Sequence, residues 1–480
     1  IFVSIMTIKN ILKPDIYSIM IMGDIMFKNK KILILGMARS GYQAAKYLKK
    51  RGNEVILNDG GSEEKQDSNQ VQELRDLGVE LIFGSHPDDL LDKSFDYLIK
   101  NPGVPIDHKY VLDAKRLGIE VINEVEMSYL LLPKDVTLIG ITGTNGKTTT
   151  TTLTYKIMKE AYGDRVHLAG NIGYPLCSIL DKLKKDDIIV MEVSCQQGEN
   201  FHKFKPHIGV FTNISPAHID FLKTFEHYKE VKARMFYNQD KDDIAILNIE
   251  NEDVMNELRN ISSKTKYFSS KNEINGCYLK DGVIYYYDEK IIDRDLIKLP
   301  GIHNVENCLA AIMACKEMGV SNKAICDVLT TFTGVEHRLE YVDTVDGVRY
   351  YNDTEATNIK CTQIALSSFD QDTTLILGGL ERGQVFEDLT PYMKHVKNIV
   401  AIGQCRERVK GFGDSLHIPT YVYEKLEDGF KKCVEITKNG GIVLLSPASA
   451  SWDQYKECEI RGAEFKQYVK NMKESEENED

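Results

Sequence analysis

The chain has no Cys-x-x-Cys pair and no His/Cys cluster at zinc spacing. Its ten cysteines are scattered, which excludes a disulfide scaffold or zinc ribbon and suits free thiols in a reducing cytosol. It has no basic excess either: the net charge of −12 argues against nucleic acid as a partner, because neutralising phosphates needs a basic surface. No apolar run is long enough to span a bilayer. The Ile- and Met-rich start is interrupted by Pro14 and Asp15, and it lacks the charged opening and small-residue cleavage site of a secretory signal. Residues 1–25 therefore read as an extension without a catalytic role, or less simply as a membrane-surface anchor, with the folded chain starting near Met26. No internal repeat or long low-complexity segment appears before the acidic tail KESEENED (473–480), a solvated end.

What is present is an ordinary globular composition, 42% hydrophobic and 28% charged, at a length of 480 residues that suits about three domains. The first block, 26–125, opens with a strand over 31–35, the turn GMARSG (36–41) and a helix over 41–51. A second strand over 54–58 follows, ending at Asp59. Strand, turn, helix, strand is a Rossmann-like unit. Ala38 stands at the middle glycine position, so the turn never completes Gly-x-Gly-x-x-Gly and an NAD-dependent oxidoreductase is poorly supported. A strand over 97–100 leads into the rigid loop KNPGVP (100–105).

The second block, 126–333, carries near-continuous apolar runs over 136–142, 188–193 and 208–213, the mark of a buried parallel sheet. A hairpin is expected over 276–290 with Asp281-Gly282 at its turn, then a helix over 304–318. The third block, 334–480, repeats strand and helical stretch, with strands over 349–352, 374–377, 399–402 and 442–445. The expected architecture is α/β throughout: a Rossmann-like first domain, a central P-loop ATPase-type parallel-sheet domain and a Rossmann-like third domain.

The chemistry concentrates at GTNGKTT (143–149), directly after an apolar strand. Gly143, Thr144, Asn145 and Gly146 present backbone N–H groups to a phosphate chain, and Lys147 adds a point charge. The Thr148 hydroxyl suits a magnesium ion, with Thr149 beside it at the helix start. The common loop has glycine where this chain has Ile141, so the loop is shorter than the generic P-loop. Glu192, His218 and Asp220 fall at the carboxyl ends of neighbouring strands, where ligands bind in open α/β sheets. Taken singly, Glu192 reads equally well as a core or ion-paired carboxylate, His218 as a structural histidine and Lys232 as a solvated lysine. Their shared placement beside the loop favours a triphosphate–Mg²⁺ site.

Nine segments in this order resemble the Mur ligase family: GTNGKTTT (143–150), GNIGYP (170–175), NISPAHID (213–220), YKEVKARM (228–235), LPGIHNVENCLAA (299–311), GVEHRLE (334–340), NDTEATN (352–358), GGLERG (378–383) and SPASASWDQY (446–455). The likeness runs from about Met26 to about Val469 and is strongest to the family's D-glutamate-adding branch. The resemblance implies a cytoplasmic, monomeric enzyme of peptidoglycan precursor synthesis that uses ATP to join D-glutamate to UDP-N-acetylmuramoyl-L-alanine. It implies two Mg²⁺ ions held by Thr148, Glu192, His218 and a carbamate formed on Lys232 from CO₂, with Lys147, Lys232 and His218 in catalytic roles. It further implies ATP contacts at Asn304, Asn307, Arg338 and Asp353. Ser40, Asp59, Gly103 and Asn171 would touch the UDP-substrate, and Thr357, Arg382 and Ser451 the D-glutamate.

The chain also departs from the family pattern. Ser194-Cys195-Gln196-Gln197-Gly198 replaces Ser-Ser-Phe-Gln-Leu, Glu355 stands for lysine, Cys458 for phenylalanine and Ser449 for cysteine. The glycine usual before Thr224 is Lys223. The charge reversal at Glu355 is expected to oppose anion binding. It leaves open a family ligase with another acceptor, or a nucleotide- and UDP-sugar-binding homologue with impaired catalysis.

Overall fold

The computed structural model describes residues 26–216 and 219–476; the expected extension over 1–25, His218 and the last residues of the tail lie outside the described residues. Three sheets, mostly parallel, organise the chain. Contacts divide it into two compact units, one of residues 1–291 and 306–325, the other of 292–305 and 326–480. Among the described residues no helix is long and apolar enough to cross a membrane.

The first sheet contains β1 (Lys31–Leu35), β2 (Glu54–Asp59), β3 (Glu80–Phe83), β4 (Tyr97–Lys100) and β5 (Glu120–Ile122), in the order β3-β2-β1-β4-β5, all parallel. The order reverses between β1 and β4, which opens a crevice beyond their carboxyl ends. Helix α1 (Arg39–Lys50) buries Tyr42, Ala45 and Leu48, one helical face, against this sheet. The same core includes Cys177 and Leu180 from the central block, so the first two sheets share one unit. Helix α2 (Glu124–Leu130) strengthens the join. Glu126 accepts backbone N–H bonds from His202, Lys203 and Phe204, and Glu124 accepts one from Cys177 at 2.6 Å.

The second sheet is built from β6 (Thr137–Thr142), β7 (Val166–Gly170), β8 (Ile188–Glu192), β9 (Ile208–Phe211), β10 (Ile244–Asn248), β11 (Lys264–Ser269), β12 (Cys277–Lys280), β13 (Val283–Tyr286) and β14 (Glu289–Asp293). Its order is β14-β13-β12-β11-β10-β9-β6-β8-β7. β6, β8 and β9 are buried on both faces, which is why their sequences run apolar without alternation. Each fully buried Ile or Leu there contributes about 1.5–3 kcal/mol by leaving water. β6 lies between β8 and β9, with Ile141 opposite Glu192 and Thr142 opposite Phe211. The loop after β6 therefore emerges at mid-sheet, flanked by the ends of both neighbours. The expected hairpin is β12–β13; Asp281 and Gly282 take φ of 49° and 76°, the pair of positive values a tight two-residue turn requires.

The third sheet has β15 (Glu340–Val345), β16 (Val348–Asn352), β17 (Thr373–Gly378), β18 (Val396–Ile402), β19 (Thr420–Val422) and β20 (Ile442–Leu445), in the order β15-β16-β20-β17-β18-β19. Only β15 runs antiparallel to its neighbour. It is a half-exposed edge strand, without the apolar run that marks the others.

Candidate active site

The loop after β6 is shaped by two glycines whose backbone conformation and close neighbours disfavour any side chain. Gly143 has φ 156°, and a Cβ there would lie 1.9 Å from Thr212 Oγ1. Gly146 has φ 78°, and its Cβ would lie 2.0 Å from Asn307 Oδ1. Helix α3 (Lys147–Tyr162) starts directly after it, so its first N–H groups and positive dipole end face the loop. Hydrogen bonds from the chain after β9 hold the loop open. Thr144 N–H donates to Asn213 O at 2.8 Å and Asn145 N–H to Asn213 Oδ1 at 3.0 Å, while Thr212 Oγ1 donates to Asn145 O at 2.7 Å. Lys147 Nζ donates to Thr144 O at 2.9 Å, folded back over the loop. Thr148 and Thr149 are half-buried on the first turn.

Glu192 ends β8 and is buried. Asn171 Nδ2 donates to its Oε1 at 2.6 Å, but its Oε2 is buried with no partner. An orphaned carboxylate oxygen is costly in a protein interior unless a cation or ordered water meets it. Such an atom beside a half-buried threonine loop fits Mg²⁺, a hard ion that takes few protein oxygens and keeps its waters.

Helix α4 (Phe225–Tyr237) carries Lys232, which sequence spacing alone reads as a solvated lysine. It is 3% exposed, with Nζ donating to Gly143 O at 2.6 Å and lying 5.0 Å from the centroid of the Tyr228 ring. Burial pushes its pKa down from 10.5 to about 7; the Lys147 charge adds to the fall, while Cys195 and Glu192 oppose it. The amine is thus substantially neutral near neutral pH. The Tyr228 hydroxyl and Thr144 Oγ1 lie 2.9 Å apart, fastening the helix to the same loop.

In the first sheet, GMARSG occupies the crevice end of β1. The Asp59 carboxylate accepts from Met37 N at 2.7 Å and Gly61 N at 2.8 Å; Asn101 Nδ2 donates to Ser40 Oγ at 3.0 Å, and Gly103 N to Asn101 Oδ1 at 3.0 Å. Ser40, Asp59 and Gly103 thus share one edge. Arg39 reaches from this turn to the GNIGYP loop, donating to Asn171 O at 2.8 Å and Gly173 O at 3.3 Å. Since Asn171 also holds Glu192, the turn and the orphaned carboxylate are linked through one residue.

The other unit gathers a second set. Asp353 is buried, accepting from Ser446 Oγ at 2.8 Å and Leu339 N at 3.0 Å, and burial pushes its carboxyl up to about 7. Arg338 pairs with Glu355 at 3.0 Å. Ser451 is buried with its hydroxyl unpartnered, Thr357 is half-buried, and the exposed Arg382 stacks 5.6 Å from the Trp452 ring centroid. Asn304 donates to Pro300 O at 2.8 Å in this unit, whereas Asn307 belongs to the other, accepting from Thr150 Oγ1 at 3.3 Å beside Gly146.

Residues 141–315 match the Mur ligase middle domain, and residues 30–123 match the Mur ligase MurD-like N-terminal domain. A UDP-N-acetylmuramoylalanine–D-glutamate ligase of Lactococcus lactis is 44% identical over 452 residues, covering 93% of this chain and 98% of its own. The chain belongs to the Mur ligase family. The Staphylococcus aureus (strain MRSA252) ligase of the same name is 42% identical over 438 residues, covering 91% of this chain and 96% of its own. Two solved Thermotoga maritima structures share the fold. The UDP-N-acetylmuramate–alanine ligase MurC has TM-score 0.57 and 18% identity over 92% of this chain and 99% of its own. The MurF ligase in complex with ADP has 0.55 and 16%, over 93% and 99%.

Physical reasons emerge for some departures from the Mur ligase pattern. Lys223 takes φ 71°, the left-handed region where the usual glycine costs nothing. Gly198 lets Val231, next to Lys232, come close: a Cβ there would lie 2.6 Å from Val231 O. Gln197, which keeps the family residue, closes a capping box with Ser194. Glu355 and Cys458 come together with Glu459, one ligating atom of each within 4.8 Å of the others. Burial and the neighbouring carboxylates push the Cys458 thiol up to about 11. Sequence reasoning missed Arg39, Glu126 and Arg461. Arg461 is 1% exposed and donates to Thr354 Oγ1, Thr354 O and Ser449 O at 2.9, 3.0 and 3.2 Å. It thereby joins the NDTEATN and SPASAS loops. Burial lowers its pKa to about 10, and no carboxylate among the described residues pairs with it.

Proposed function

We propose that this chain is an ATP-dependent amide ligase that adds D-glutamate to UDP-N-acetylmuramoyl-L-alanine in peptidoglycan precursor synthesis, acting as a cytoplasmic monomer. One observation carries the reading: the glycine loop has beside it a buried carboxylate oxygen without a partner, on Glu192, and a desolvated amine, on Lys232. A carboxylate has no leaving group for amide formation. Transfer of the γ-phosphoryl group breaks the terminal P–O bond of ATP and gives an acyl phosphate and ADP. The D-glutamate amine then forms the C–N bond, and phosphate leaves as the tetrahedral centre collapses. The chain's task is to position reactants and neutralise charge. The loop N–H groups and Lys147 would hold the outer phosphates. Thr148 and Glu192, with His218 outside the described residues, would hold two Mg²⁺ ions, which when bound supply positive charge to the phosphoryl oxygens.

Lys232 would take up CO₂. Its neutral Nζ forms an N–C bond, one proton goes to solvent, and a neutral amine becomes an anion able to ligate metal. Ser40, Asp59, Gly103 and Asn171 would orient the UDP-substrate. Asn304, Asn307, Arg338 and Asp353 would contact ATP, and Thr357, Arg382 and Ser451 would receive D-glutamate. The test is phosphate release by purified protein with ATP, Mg²⁺, UDP-N-acetylmuramoyl-L-alanine and D-glutamate. Release should need all four, and release independent of D-glutamate rejects the reading. Glu355 and Cys458 favour a second reading, a family ligase with another acceptor or impaired turnover. A panel of amino acids in the same assay separates the two.

A further inference from the structure

We propose that His86 reads the pyrimidine of the nucleotide substrate, accepting a hydrogen bond from the N3–H of uracil through Nε2. The inference rests on the reading of the first sheet as the uridine-diphosphate site and adds the group that chooses the base. Asn58, fully buried on β2, spends its amide hydrogens on Ile82 O at 3.0 Å and Ser85 O at 2.8 Å. Its Oδ1 is thereby turned to His86 Nδ1 at 2.5 Å. An amide oxygen only accepts, so Nδ1 must carry the proton, and in neutral imidazole Nε2 is then a bare acceptor. The ring is held edge-on by His108 and Tyr110, at centroid distances of 4.7 and 5.6 Å, and the Tyr110 hydroxyl is fixed by its bond to Pro87 O at 2.6 Å.

Gly60 keeps that acceptor uncovered. It is not among the glycines with positive φ, so its backbone makes no demand for glycine. The demand is one of space: a Cβ at residue 60 would lie 2.7 Å from His86 Nε2. The position suits base recognition. In a doubly wound sheet the acidic residue closing the second strand, here Asp59, meets the ribose, while the phosphates lie at the first turn. The base then extends outward past Asp59 toward the β2–β3 side, where His86 stands exposed. Uracil presents a donor at N3. Cytosine presents a lone pair there, which would face the Nε2 lone pair without a proton between them.

The experiment is calorimetric titration of UDP and CDP into the full chain with the Gly143–Thr149 loop saturated by ADP, for wild type, His86→Phe and Gly60→Ala. The His86 tautomer is read by ¹⁵N–¹H correlation spectroscopy. Wild type should prefer UDP over CDP by on the order of tenfold, the discrimination expected when one base makes the hydrogen bond and the other loses it. His86→Phe keeps an aromatic ring against Tyr110 but should abolish the preference by weakening UDP alone. Gly60→Ala should do the same, and the wild-type spectrum should show the proton on Nδ1. If UDP and CDP weaken together, His86 is only structural and the proposal falls. An unchanged ratio in His86→Phe, or a proton on Nε2, also overturns it. If wild type binds UDP no better than it binds a sugar phosphate that lacks uridine, the uridine reading itself fails. That result is distinct from loss of base preference alone.

Discussion

Replacing Lys232 by methionine should stabilise the protein while removing its ligase activity. The side chains are similar in volume, so packing is largely kept. The amine titrates near 7 when folded and near 10.5 when free. Below pH 7 both states hold the proton, and this group adds no pH dependence. Between 7 and 10.5 the unfolded chain binds more protons than the folded one, so stability rises with pH by about 1.4 kcal/mol per unit. At pH 7 the buried amine therefore costs about 4 kcal/mol relative to a group that never ionises. Methionine forfeits the bond to Gly143 O, worth about 1.5–3 kcal/mol for a charged donor, leaving a net gain of about 1–3 kcal/mol.

Packing and hydrogen-bond losses do not change with pH, so the pH dependence of the difference isolates the amine. The advantage of Lys232→Met should shrink by about 2 kcal/mol between pH 7 and pH 9. Urea unfolding of both proteins in CO₂-free buffer, followed by far-ultraviolet circular dichroism, measures it. The single tryptophan, Trp452, reports on the other unit and serves as the internal control. A difference constant from pH 7 to 9, or a methionine variant less stable at pH 7, refutes the argument. In either case Lys232 is not held neutral, and uptake of CO₂ loses its physical basis.

Gly146→Ala forces a left-handed backbone and drives a methyl into Asn307. It should cost about 1–3 kcal/mol and abolish ADP binding measured by calorimetry, with UDP binding intact. Arg461→Met leaves the carbonyls of Thr354 and Ser449 and the Thr354 hydroxyl without this donor. It should destabilise the third-sheet unit by about 2–4 kcal/mol in a Trp452 fluorescence melt and raise the KM for the acceptor more than it lowers kcat. Glu355→Lys breaks a half-exposed pair with Arg338, so stability should move by less than about 1 kcal/mol. Its acceptor-dependent phosphate release should rise, and no rise clears Glu355 of impairing turnover.

The loop and the α/β class were legible because both depend on local pattern. A strand buried on both faces must run apolar, and a backbone so close to its neighbours that an added Cβ would come within about 2 Å of their side-chain atoms must use glycine, as at Gly143 and Gly146. β15 was not legible, because an edge strand with one bulge and half-exposed residues lacks both the apolar run and a strict alternation. Lys232 was misread from spacing for a related reason: burial of a helix position depends on what packs over it, and the covering group, Gly143 O, lies 89 residues away. Arg39, Glu126 and Arg461 find partners 132, 77 and 107 residues away, with no local signature.

These distant contacts bear on the charge reversal at Glu355. Read from sequence, a carboxylate replacing the family's lysine leaves the acceptor loops short of positive charge. In the fold Glu355 is met by Arg338, and Arg461 lies behind its neighbour Thr354, acted on by the Asp453 carboxylate but in no ion pair among the described residues. Buried charge acts through a medium of lower dielectric than water, so Arg461 weighs more per charge than an exposed lysine at the same distance. Its hydrogen bonds to Thr354 and Ser449 also hold the two loops that carry Thr357 and Ser451 in fixed register. Acceptor binding should therefore fall further with loss of Arg461 than it recovers with a lysine restored at 355. The ratio of acceptor KM between Arg461→Met and Glu355→Lys measures that order, and a larger effect at 355 would locate recognition at the exposed pair instead.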